Sequence, residues 1–161
     1  MCVLRVTGKK FEPASFLASS KLTPYSVFRA GEPRFTSKPS GRIHGASGFK
    51  IDVSRRPWNS LAGQVVDAIA FLKKHKAALA RLRSIPEVED VRLDFPLAVR
   101  IDRESVVVQF DYFPPELASL AGALGIGLEI SIYARDSERA APRGRDSSRA
   151  KRSRESKKQE P

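Results

Sequence analysis

Residues 49–54 read Phe-Lys-Ile-Asp-Val-Ser, an alternation in which Phe49, Ile51 and Val53 fall on one side of an extended chain and Lys50, Asp52 and Ser54 on the other. A strand of this kind buries one face and wets the other. The same period of two recurs in Cys2, Leu4 and Val6 around Val3, Arg5 and Thr7, and in Val91, Leu93 and Phe95 around Arg92 and Asp94. It returns in Val106, Val108, Phe110 and Tyr112 around Val107, Gln109 and Asp111, and in Leu128, Ile130 and Ile132 around Glu129 and Ser131. A weaker strand is expected from Ser26 to Ala30.

Between these strands the spacing changes. From Leu61 to Arg83 the residues Leu61, Val65, Ile69, Leu72, Leu79 and Leu82 recur at helical intervals, with Lys73, Lys74, Lys76, Arg81 and Arg83 off the stripe. One long helix is expected, with Ser60 at its N-cap and Pro86 beyond its end. Shorter helices are expected after Pro13 and after Pro114-Pro115, since proline in a first turn gives up no needed N–H bond. Both starts follow a phenylalanine, Phe11 and Phe113, which hints at an internal duplication or at convergent helix-start chemistry. The expected order is βαββαββαβ. Because nearly every strand has a polar side, an all-parallel sheet covered on both faces is disfavoured. The expected class is α+β: a mixed or mainly antiparallel sheet of five to six strands with helices on one face, in a single domain over residues 1–134.

Composition narrows the function. The chain has 161 residues, 29 Lys and Arg against 18 Asp and Glu, one cysteine and two histidines. Cys2 alone forms no internal disulfide, and Cys2, His44 and His75 make a poor metal set, so neither a metal nor a cofactor is expected. No apolar run approaches the roughly 20 residues of a membrane span, and the first residues lack a signal peptide's apolar segment, so cytoplasm is the expected compartment. The excess positive charge is uneven: residues 1–83 carry 16 basic and 4 acidic groups, whereas residues 84–134 carry 3 and 9. Residues 135–161 have three alanines as their only aliphatic side chains and no aromatics, which predicts a disordered basic tail. Its Arg143, Arg145, Arg149, Lys151, Arg152, Arg154, Lys157 and Lys158 suit weak, salt-sensitive contact with nucleic acid or another polyanion.

Two further groups of residues could bind a partner. Alternation places Arg5, Lys50, Asp52, Arg92, Asp94, Asp111 and Glu129 on the polar side of the sheet, where they form either a docking surface or ordinary cross-strand charge pairs. Residues 33–48, PRFTSKPSGRIHGASG, place Arg34, Lys38, Arg42 and His44 among three glycines, a composition that suits anion binding and equally a connection of turn-forming residues. It lacks the Gly-Lys-Ser/Thr ending of a nucleotide-binding P-loop. Trp58 is expected to pack at the start of the long helix or to stack on a partner. No residue is assigned a catalytic role.

Leu4-Arg5-Val6, Phe11 before a short helix, Leu22-Thr23-Pro24, the Arg29-Ala30-Gly31-Glu32 turn, the strand from Gly48 to Ser54 and the terminal strand from Leu128 to Tyr133 follow one another in a layout that resembles the small bacterial domain-of-unknown-function family 4279. The resemblance spans residues 2–134. It implies a compact bacterial α+β domain and no catalytic residue. By analogy with small standalone bacterial domains, it favours an interaction role of the immunity type. The expected function is therefore docking of a protein partner through a charged surface. Polyanion binding by the tail is the alternative, and an enzyme acting on an anionic small molecule is a third.

Overall fold

The computed structural model describes residues 1–101, 105 and 107–133. The tail expectation for residues 135–161 lies outside them. In chain order the elements are β1 (Cys2–Gly8), α1 (Pro13–Ser19), β2 (Ser26–Phe28), β3 (Ser47–Ser54), α2 (Leu61–Lys74), α3 (Lys76–Leu82), β4 (Asp90–Ala98), α4 (Pro115–Leu124) and β5 (Gly127–Tyr133). The strands form one sheet in the order β2-β3-β1-β4-β5. All pairs are antiparallel except β4 with β5. The chain is thus an α+β domain, as the alternation implied.

Strand β1 lies at the centre, with Leu4 opposite Ile51 on one side and Leu93 on the other. Cys2, Leu4 and Val6 are buried together with Phe49, Ile51, Leu93 and Phe95 of the neighbouring strands. All four helices add to this same core: Phe16 from α1, Val65, Ala68 and Leu72 from α2, Leu79 and Leu82 from α3, and Leu117, Ala121 and Leu124 from α4. One face of the sheet therefore carries the helices, and the odd-numbered residues of β1 point away from them. Burial pushes the Cys2 thiol pKa well up, so this cysteine is an unreactive core side chain.

Both proline-started helices form where expected, with Pro13 and Pro115 in their first turns. Helix α4 ends on Gly125 in the left-handed region (φ 67°), a conformation that favours glycine. The expected long helix is two. It breaks at His75 (φ −106°, ψ 15°) between α2 and α3. Leu72 and Leu79 lie seven residues apart, two helical turns, so the apolar stripe continues in phase and α3 buries the same side.

The expected strand from Val106 to Tyr112 does not form: its described residues, 107–112, join no ladder, and Phe110 is 87% exposed. The reason is topological. Both sides of β4 are already occupied, by β1 and by β5, which arrives in parallel through α4. The segment therefore cannot form a hairpin with β4, and its described residues add to neither outer edge of the sheet, at β2 or at β5. The Phe113-Pro114-Pro115 start therefore follows no strand, and the duplication suggested by Phe11 and Phe113 is not repeated in the topology.

If the α2 stripe is the core seam, Leu72→Ala should cost about 2–5 kcal/mol, because Leu72 is wholly buried. Val66→Ala, at an exposed position of the same helix, should stay within about 0.5 kcal/mol of the parent. Chemical denaturation of both variants checks this.

Candidate functional site: a charged sheet face and a basic pocket at its end

The register arranges the polar side of the sheet in rows. Ser26, Lys50, Arg5, Arg92 and Gly127 stand side by side across all five strands, so three cations are direct cross-strand neighbours. The next row holds Asp52, Val3, Asp94 and Glu129. On the other flank lie Phe28, Gly48, Thr7 and Asp90. Like charges directly opposite one another destabilise a sheet, so pairing between rows must offset the cost.

That offset is incomplete. Glu129 reaches both Arg5 (3.5 Å) and Arg92 (3.4 Å), and Asp90 holds Arg92 at 2.7 Å. Asp94 accepts a hydrogen bond from the Ser131 hydroxyl at 2.7 Å. Among the described residues, no carboxylate lies within ion-pair distance of Lys50 or Arg34. Partial burial, with Arg5 and Arg34 nearby, lowers the Lys50 pKa from its ordinary value, and Asp94 only partly opposes them.

Arg34 arrives from the connection between β2 and β3, which is an ordered arm. The Gly31 N–H donates to the His44 carbonyl and the His44 N–H to the Glu32 carbonyl, both at 2.8 Å. The Arg34 N–H donates to the Arg42 carbonyl, also at 2.8 Å. Pro33 and Ile43 form an antiparallel bridge, and tight turns over Phe35–Lys38 and Lys38–Gly41 close the tip. The arm folds back over the end of the sheet. There the His44 imidazole stacks on Phe28 with ring centroids 4.3 Å apart. Gly48 makes this approach possible: a Cβ there would stand 2.9 Å from Phe28 Cζ and 2.1 Å from the Val6 carbonyl oxygen.

Between arm and sheet lies a cavity of about 480 Å³ lined by Arg5, Thr7, Phe28, Arg34, Phe35, His44, Gly45, Ala46 and Lys50. Two groups of residues that are separate in the sequence thus meet: Arg5 and Lys50 from the sheet, Arg34 and His44 from the arm. Lys38 and Arg42 of the same segment are exposed and line no part of it. Desolvation, then Arg34 and Lys50, lower the His44 pKa, which favours the neutral imidazole.

Asp111, expected on the polar face, is elsewhere. It pairs with Arg100 at 2.8 Å and accepts from the Gln109 side-chain amide at 2.6 Å, because the segment carrying it joins no sheet. Trp58 is not in the core but 43% exposed, stacked on Tyr133 of β5 at 4.6 Å. Tyr133 belongs to the same side of β5 as Glu129 and Ser131, so the ring pair stands at one end of the charged face. Tyr25 is about half exposed, and partial burial, then Asp52, raises its pKa. Tyr25, Phe28 and Phe35 escaped sequence reasoning. The one available signal was Gly48, a glycine inside a strand that marks a close approach.

Among the described residues, no group of three or more His, Cys, Asp or Glu side chains is placed to hold a metal ion. None of the described helices is long and apolar enough to cross a membrane.

These features define an α+β domain with one face covered by helices and a charged face bordered by a basic pocket. The chain belongs to the family described as domain of unknown function DUF4279, which it matches over residues 1–135. No curated protein and no solved structure matches it.

The row of cations yields a stability test. Lys50 has a lowered pKa in the folded state, so its charged form is favoured in the unfolded chain and costs stability at neutral pH. Lys50→Gln should raise stability at pH 7 by about 0.2–1 kcal/mol, or up to about 4 °C in melting temperature. The gain should fade as the pH rises through the folded-state pKa toward about 10.4, where free lysine titrates. Thermal melts at several pH values check both parts.

Proposed function

We propose that this domain is an interaction module that docks a protein partner on the charged face of its sheet. The observation that carries the reading is the row Lys50, Arg5, Arg92, in which like charges are held in adjacent register and Glu129 and Asp90 neutralise only part of it. A fold that tolerates an unfavourable local arrangement commonly does so at a functional position. A partner bearing carboxylates opposite Lys50 and Arg5 would supply the missing countercharge. Bases opposite Asp52 and Asp94 would fix its register, since charge complementarity sets specificity and encounter rate more than raw affinity.

The border of the face fits the same use. Trp58, Tyr133 and Tyr25 are exposed aromatics, and tryptophan and tyrosine are among the side chains that most often anchor protein interfaces. The four helices contribute their apolar stripes to the core on the opposite side.

The test uses partner capture by the intact chain and by two charge-reversal variants, Lys50→Glu on the open face and Lys76→Glu on α3. A docked protein should be retained by the parent and by Lys76→Glu, lost with Lys50→Glu, and released by salt. Because Trp58 is the only tryptophan, its emission should also shift when the recovered partner is added back. A partner that tolerates Lys50→Glu, or one released by Lys76→Glu, would refute docking on this face.

A further inference from the structure

The cavity between the arm and the sheet has features that a flat protein-docking face does not need. Its volume of about 480 Å³ falls within the range of small-molecule sites. An isolated phosphate or carboxylate would fill a small part of it. Arg34 and Lys50 line it without a carboxylate partner among the described residues, and Arg5 adds a third cation whose contact to Glu129 is long, at 3.5 Å. Two unneutralised cations call for a ligand of charge near −2, and a guanidinium fork suits phosphate oxygens.

The remaining lining is of a different kind. Phe28 and Phe35 with Gly45 and Ala46 form apolar wall, and Phe35 is 63% exposed on the arm although it lines the cavity. A large ring left in water beside a cationic pocket gains by covering a planar, apolar ligand body. The His44 imidazole is held in place by its stack on Phe28 and its environment favours the neutral form, so it can offer a hydrogen bond without adding charge.

We infer that this pocket binds a small phosphate monoester carrying a planar ring, of the nucleoside monophosphate class. The phosphate lies between Arg34, Lys50 and Arg5, and the ring lies against Phe35. The site goes beyond the docking of a protein partner: Arg34, Phe35 and His44 belong to the arm and to none of the charged rows. It would let a small ligand occupy the end of the docking face.

The intact chain, isotopically labelled, is titrated by NMR with adenosine monophosphate, ribose 5-phosphate, adenosine and inorganic phosphate. The expected result is saturable shifts of Arg34, Phe35, His44 and Lys50 amides with adenosine monophosphate, at least tenfold weaker binding of the other three, and a tenfold loss on Arg34→Ala. Phe35→Ala should weaken adenosine monophosphate and leave ribose 5-phosphate unchanged. Both residues are exposed, so neither change should disturb the fold, and an unchanged spectrum away from the arm confirms that.

Equal binding of inorganic phosphate and adenosine monophosphate would overturn the ring assignment. Shifts confined to residues beyond 134, or an affinity unaffected by Arg34→Ala, would overturn the site altogether. Failure of the nucleotide to bind leaves capture of a protein partner through Lys50 to succeed or fail separately, because that experiment contains no nucleotide.

Discussion

Everything in this fold depends on β1 being paired on both sides while helices cover only one of its faces. Leu4 and Val6 are fixed against β3 and β4 by two ladders, and a shift of one residue would turn Arg5 and Thr7 into the core. The helices can reach only the side on which Cys2, Leu4 and Val6 lie, so α1, α2, α3 and α4 crowd onto it. The opposite side is left to the arm at one end and to Trp58 and Tyr133 at the other.

The same register that makes the core makes the charged rows. Once Leu4 is set opposite Ile51 and Leu93, Arg5 must stand opposite Lys50 and Arg92. Rotamers can turn the head groups apart, as Arg5 does toward Glu129, but they cannot take the side chains off the shared face, and the electrostatic cost falls on whichever cation lacks a carboxylate. Glu129 sits on the far side of Arg92 and serves the two arginines, which leaves Lys50 next to Arg34. The basic pocket is therefore a product of the core's register together with the arm that brings Arg34 over it.

Much of this was legible in the sequence. The period of two in residues 2–7, 49–54, 91–95 and 128–132 identified four strands and their wet face, because one-sided burial writes itself directly into alternation. It misled for Val106–Tyr112, where the pattern is as regular but the preceding strand, β4, is already paired on both sides, and Asp111 went with it. Pairing is decided by topology, and topology is not local. The pocket was hidden for a related reason. Arg34 and Lys50 are 16 positions apart, and nothing in residues 33–48 states that Pro33 bridges Ile43 and folds the arm back onto the sheet. The break at His75 was likewise invisible, since the apolar stripe passes through it without a change of phase.

Folding holds Arg5 and Lys50 in direct register on adjacent strands against their mutual repulsion. A double-mutant cycle on Arg5→Gln and Lys50→Gln, read by chemical denaturation, isolates that pair from the contacts each makes with Glu129 and Arg34. The expected result is an unfavourable coupling between the two cations at low salt that shrinks toward zero near 1 M salt, where the screening length is about 3 Å. A coupling that is zero or favourable, and indifferent to salt, would contradict it.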